Sequence, residues 1–263
     1  MDILGQILAA KRRSVEAAIK AISPTGLRQE AAVVRESAQQ HALLKALQDK
    51  TRLNVIAEFK RRSPSRGLIR GDASVSAIAR AYESGGAAAI SVLTEEDYFA
   101  GSLGDLRAAR KAVTLPLLRK DFIFDEYQVY ESAAAGADAL LLIVAALNDE
   151  SLVKLRRLAE DMGMDALVEV HARDEMRRAL ESGAKLIGVN NRDLKTFEVS
   201  LQTSAELARD LSTDLLLVSE SGLHTRAELQ RLRALGFDGF LIGESLMRAE
   251  RPEEALRNLC KGS

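Results

Sequence analysis

The sequence predicts an α/β fold, a closed (β/α)8 barrel with an N-terminal helical extension, and three observations lead there. From about Leu53 onward, short and nearly continuous apolar runs alternate with longer amphipathic stretches, the pattern of βα units around a parallel sheet. The runs recur about every 25 residues, the size of one βαβ step. The length, 263 residues, is close to the roughly 250 of this architecture. The competing open, doubly wound sheet usually carries a glycine-rich phosphate loop after its first strand, and no G-x-G-x-x-G occurs here.

The chain begins with a helical preamble. "ILGQILAAKRRSVEAAIK" places apolar residues at helical spacing, and Leu27 to Gln48 reads as further helix, with Ser23–Pro24–Thr25–Gly26 as the break between them. These helices are extra to the eight units. They either pack over the outside or bottom of the barrel, or cover part of its mouth. We take residues 1–263 as one domain, with 1–50 as the extension and the barrel from about 51.

The predicted strands follow in order: Leu53–Lys60, Ala87–Leu93, Leu115–Lys120, Ala137–Val144, Ala166–Val170, Lys185–Asn190, Asp214–Glu220 and Phe237–Gly243. Runs such as "ADALLLIV" belong to strands covered on both faces. "ESGGAAAI", "AAGADAL", "ESGAKLIG" and "ALGFDGF" each set glycine between a helix and the next strand, where a left-handed residue can end the helix. Thr225–Arg226–Ala227–Glu228 has the capping-box pattern and predicts a helix start.

Composition bounds the function. Apolar residues make up 47% and charged residues 29%, and 37 basic against 38 acidic side chains leave a net charge of −1. That balance suits a globular protein with a sizeable core and offers nothing to nucleic acid or an anionic membrane. Cys260 is the single cysteine, so no disulfide can form within the chain, which fits a reducing compartment. Met1–Asp2–Ile3 opens no signal peptide, and the longest apolar stretch, Ala133 to Leu147, is interrupted by Gly136 and Asp138. We expect a cytoplasmic protein without a membrane span or a fused second activity.

In this architecture the chemistry sits at the C-terminal ends of the strands. The first strand ends "AEFKRRSPS", putting Glu58 and Lys60 in phase with Ile56. The third ends "LLRKDF", with Lys120 in phase with Leu118; the fifth ends "ALVEVH", with Glu169 in phase with Leu167. The sixth ends "GVNNRDL", and the seventh "LLLVSESG", with Glu220 in phase with Val218 and Leu216. Any one charged residue at a strand end can simply mark where the chain meets water. Two lysines and three glutamates in phase with interior positions instead predict groups that shift one another's pKa for proton transfer.

"SESGLHT" and "LIGESLM" place small residues before the helices that follow strands seven and eight, the usual phosphate site of such a barrel. Ser221, Gly222 and Gly243 would form its core. Glycine there can also serve only a turn. His41, His171 and His224 are scattered, so no metal site is predicted. His171 lies on the same face as Glu169, where a lone histidine near a helix start reads as structural.

Taken in order, these strand ends are informative together. The chain resembles indole-3-glycerol phosphate synthases over nearly its whole length, in "IAEFKRRSPSRG", "SVLTEEDYFAGS", "LPLLRKDFI", "ADALLLI", "LVEVH", "IGVNNRDL", "VSESG" and "LIGESLM". The resemblance implies a TIM barrel that takes a small phosphosugar, 1-(2-carboxyphenylamino)-1-deoxyribulose 5-phosphate, to indole-3-glycerol phosphate, carbon dioxide and water, with no cofactor. It implies Lys120 as general acid, Glu169 as the carboxylate of the dehydration, and Lys60 as partner of the substrate carboxylate and a late acid. Glu58, Asn190 and Glu220 match the polar ring around the reacting carbons, and Arg192 a supporting arginine. Ser63, Ser221, Gly222 and Gly243 match phosphate-binding positions, and Phe99 and Phe122 flank the anthranilate ring.

Glu244 departs from the serine of some members; a carboxylate there would have to turn away from a phosphate. Two other readings stay open: a Schiff-base aldolase barrel using Lys60 or Lys120, and a catalytically silent phosphosugar-binding barrel. Monomer and homodimer are both compatible with the sequence.

Overall fold

The structure, a computed structural model, describes residues 3–193, 196–209 and 214–261. Leu194, the last residue of "IGVNNRDL", lies outside them. Eight parallel strands close into a barrel: β1 (Asn54–Phe59), β2 (Ala89–Leu93), β3 (Leu117–Lys120), β4 (Ala139–Ile143), β5 (Asp165–Val170), β6 (Leu186–Asn190), β7 (Leu216–Glu220) and β8 (Gly239–Ile242). Each pairs with its neighbours in sequence, and β1 meets β8 in the register Asn54↔Gly239 to Ala57↔Ile242. Each predicted strand overlaps an observed one, with ends shifted by a few residues. The four helix-ending glycines, Gly86, Gly136, Gly183 and Gly236, all have positive φ, and the Thr225 capping box is formed on both sides.

Strand alternation sorts the core into two layers. Ile56, Leu118, Leu141, Leu167, Val218 and Leu241 fill the interior. Val55, Ala57, Phe59, Leu117 and Val168 point outward into the layer under the helices. Among the described residues, no helix is long and apolar enough to cross a membrane.

The preamble forms three helices, α1 (Ile3–Ala21), α2 (Pro24–Glu36) and α3 (Ala42–Leu47). Pro24 does not stop a helix but starts one. Proline at the first helical position forfeits no hydrogen bond, and Ser23 caps the end by accepting from the Gly26 amide at 3.2 Å. The predicted stretch Leu27–Gln48 is instead broken at Ser37–His41, where His41 turns left-handed with φ 52° and its Nδ1 pairs with Asp165 at 2.9 Å.

The two placements offered for the preamble are divided between its helices. The fully buried Leu43 and Leu47 of α3 join the interior cluster. There Asn54 Nδ2 at the start of β1 donates to the carbonyls of Leu47 and Asp49, so α3 closes the N-terminal end of the barrel. By contrast, α1 lies at the mouth: Ile3, Leu4 and Ile7 line the central cavity, and Lys11, 7% exposed, is paired with Asp121 at 2.9 Å.

Candidate active site

Every predicted site residue lines one cavity, of about 420 Å³, at the C-terminal mouth of the barrel. Alternation turns Glu58, Lys120, Glu169 and Glu220 inward at the ends of β1, β3, β5 and β7. Barrel closure then brings together residues that lie far apart in sequence.

Lys120 stands at the centre. Its Nζ is 2.8 Å from Glu169 Oε2 and 3.3 Å from Glu220 Oε2. Burial works against the ammonium charge, yet Glu169, Glu220 and Glu58 outweigh burial and raise its pKa above the ordinary lysine value. Burial also favours protonation of Glu169, but Lys120 and His171 prevail and hold that carboxyl below the ordinary range. Glu220 goes the other way. Burial, helped by the charge of Glu169 against the pull of Lys120, pushes it up to about 8. The site therefore holds an ammonium and two carboxyl groups whose pKa values are pushed in opposite directions, all within a few ångströms of one another. Such divergence among neighbouring groups is what proton-transfer chemistry requires.

Lys60 forms a second ion pair, with Glu58 Oε1 at 2.5 Å. Of the two asparagines ending β6, Asn190 lines the cavity and accepts from the Arg192 amide at 3.0 Å. Asn191 is structural: its amide group donates to Ser219 Oγ and to the carbonyls of Glu220 and Ser221. Phe99 and Phe122 sit side by side on the wall with ring centroids 6.2 Å apart, an apolar surface suited to a flat aromatic group.

Ser63, Ser221, Gly222 and Gly243 share the same cavity. Ser221 and Gly222 both have positive φ, 68° and 77°, so the chain turns sharply at the end of β7. Glu244 is taken up by Arg66 at 3.4 Å and Arg248 at 3.2 Å, which occupies its carboxylate. Among the described residues, no group of histidine, cysteine, aspartate or glutamate side chains forms a candidate metal site.

The sequence did not single out Ser245 or Gly188. Ser245 lines the cavity and its buried hydroxyl has no partner. Two glycines act by what they lack. A Cβ on Gly188 would lie 2.1 Å from Glu220 Oε1, and one on Gly243 would lie 2.4 Å from Glu58 Oε1. Each provides a slot for a glutamate on the neighbouring strand. Gly188 was visible only as the glycine inside the apolar run of β6, a hint of close approach that does not say what approaches. Gly188→Ala is expected to lower kcat by about 10²-fold, because a misplacement near 1 Å at a reacting group costs that much. The check is kcat and KM beside a far-UV spectrum; an unchanged kcat in a folded variant would mean that the slot is not required.

The family model described as indole-3-glycerol phosphate synthase matches residues 4–259. A protein of that name from Syntrophobacter fumaroxidans is 48% identical over 98% of this chain and 97% of its own length. Another of that name, from Desulfosudis oleivorans, is 47% identical over 98% of each. Among solved structures, 3-hexulose-6-phosphate synthase from Salmonella typhimurium covers 79% of this chain with a TM-score of 0.64 at 14% identity, a likeness of fold alone. With the family model matched nearly end to end and relatives close to half identical over almost the full length, the chain belongs to the indole-3-glycerol phosphate synthase family.

Proposed function

We propose that the cavity closes an indole ring, converting 1-(2-carboxyphenylamino)-1-deoxyribulose 5-phosphate to indole-3-glycerol phosphate, carbon dioxide and water. One observation carries the reading: a buried lysine paired with Glu169 and Glu220, in a mouth that also offers an aromatic wall and a turn rich in small residues.

The ring carbon that bears the carboxylate attacks the C2 carbonyl of the ribulose chain. That carbonyl is a weak electrophile until its oxygen takes a proton, which Lys120 supplies; positioned acid catalysis of this kind is worth about 10²–10⁴-fold. Carbon dioxide then leaves with its bonding electrons returned to the ring. Dehydration completes the reaction: Glu169 accepts the proton lost from the former C1, and the hydroxyl departs as water with a proton from Lys60. Lys60 first pairs with the substrate carboxylate, within the ring of Glu58, Asn190 and Glu220, with Arg192 in support. Ser63, Ser221, Gly222 and Gly243 receive the phosphate, and Phe99 and Phe122 flank the anthranilate ring.

The charge state of Lys120 weighs against a Schiff-base aldolase, because a nucleophilic lysine must be neutral and the surrounding carboxylates favour the ammonium. The reading takes residues 1–263 as one domain, with 1–50 as the helical extension. It also places the enzyme in the cytoplasm, where a phosphorylated substrate is retained, as a monomer or homodimer.

The test is to mix the purified protein with the carboxyphenylamino-deoxyribulose phosphate and follow indole fluorescence. The chain has no tryptophan, so an indole signal belongs to product. Binding of the substrate without indole formation would overturn the proposal in favour of a silent binder.

A further inference from the structure

The proposed reaction leaves His171 unused, although it stands between a reacting group and a helix. It follows β5 directly, two residues after Glu169, and its side chain is 12% exposed. At one nitrogen, Nδ1 lies 3.1 Å from Glu175 Oε2 on α4 (Arg173–Glu181). The same carboxylate accepts from the His171 backbone amide at 2.7 Å, which fixes the ring against the helix. The other nitrogen, Nε2, is buried without a hydrogen bond and lies 3.4 Å from Glu169 Oε1. Glu169 therefore has a cation at each oxygen: Lys120 at Oε2, in contact, and the imidazole at Oε1, one short movement away.

We propose that His171 is a positioning residue for Glu169: Glu175 keeps its ring charged and oriented, and the free Nε2–H takes over as the cation of Glu169 when Lys120 turns to the substrate. This rests on the ring-closure reading above. Once Lys120 has given its proton to the carbonyl oxygen, Glu169 is a buried carboxylate without its cationic partner, and burial drives such a group to protonate. It would then be useless as the base for dehydration. An imidazolium already aimed at its free oxygen prevents that.

The surroundings favour the charged ring. Burial opposes it, but Glu169 and Glu175 outweigh burial and raise the pKa to about 10. The charges that act on the ring are those of Glu169 and Glu175. The neighbouring strands β4 (Ala139–Ile143) and β6 (Leu186–Asn190) contain no titratable residue, nor does the short turn Val144–Ala146 against α4. On α4 itself Arg173, Asp174 and Arg177 are exposed, and Glu175 meets the ring.

Two measurements test this. In His171→Gln, kcat is expected to fall about 10-fold with KM within about 2-fold, the signature of a group that acts after binding. The acid limb of the kcat–pH profile should also move up by about one unit, because Glu169 has lost a cation. Glu175→Gln should move the limb in the same direction by less, and it serves if His171→Gln does not fold. A purely structural role would lower kcat at every pH alike, and an unmoved acid limb in both variants would overturn the proposal. Independently, 15N NMR of the unliganded protein should find the His171 imidazole protonated at pH 8; a neutral ring there would also overturn it. Failure of the parent to form indole would sink the functional reading instead, and the NMR result would still report on the charge of His171.

Discussion

Lys120→Ala is expected to lower kcat by about 10²–10⁴-fold, the range for loss of a positioned general acid. The cause lies in the pairings of Lys120 at rest. Glu169 and Glu220 hold it charged, so it enters the cycle with its proton in place. Without it, Glu220 and Glu169 are left facing each other with no cation between them. Lys120→Arg separates charge from acidity. A guanidinium preserves the ion pairs but does not release a proton in this pH range, so it should restore substrate binding and leave kcat low. Steady-state indole formation by both variants decides the matter. A loss below 10-fold in Lys120→Ala would move the acid role to Lys60.

Arg119→Ala should destabilise the fold by about 3–5 kcal/mol, the cost of removing one partner from a buried charge network. Arg119 points the opposite way from Lys120 and is 2% exposed. It pairs with Asp121 at 2.9 Å and Glu131 at 2.8 Å, and donates to Thr94 Oγ1, Ser132 Oγ and the Gln128 carbonyl. On the other side of Asp121 stands Lys11 of α1. Burial opposes the charge on Asp121, but Arg119 and Lys11 prevail and lower its pKa to about 2.

That value lies below the ~3.9 of an unfolded aspartate. The stabilisation is therefore fully present above pH ~3.9 and fades as the pH falls toward 2. In Arg119→Ala the carboxyl loses its strongest cationic partner, so acid unfolding should begin at a higher pH. At neutral pH the thermal midpoint should drop by about 10 °C, taking about 2–4 °C per kcal/mol for a chain near this size. Calorimetry across pH checks both. A midpoint within about 2 °C of the parent would mean that the network contributes little to stability. Because Lys120 is flanked by Arg119 and Asp121, the network also helps to fix where the acid stands.

The sequence alone determined the eight strands, the glycines that end helices before them, and the inward phase of Glu58, Lys60, Lys120, Glu169 and Glu220. These are local properties: a period of two, a left-handed turn, a residue type at a strand end. What only the tertiary structure decided is which of these groups meet. Lys120 touches Glu169 and Glu220 because barrel closure sets distances between strands far apart in the chain, while Lys60 turns instead to Glu58, two residues away. The slots at Gly188 and Gly243 are invisible without the neighbouring carboxylates. The preamble shows the same limit. Its amphipathic spacing reveals helices, but apolar spacing cannot say whether a helix lies over the mouth, as α1 does, or plugs the opposite end, as α3 does. That choice depends on the contact between Lys11 and Asp121, 110 residues apart, and on the fit of Leu43 and Leu47 into an interior that exists only once the eight strands have closed.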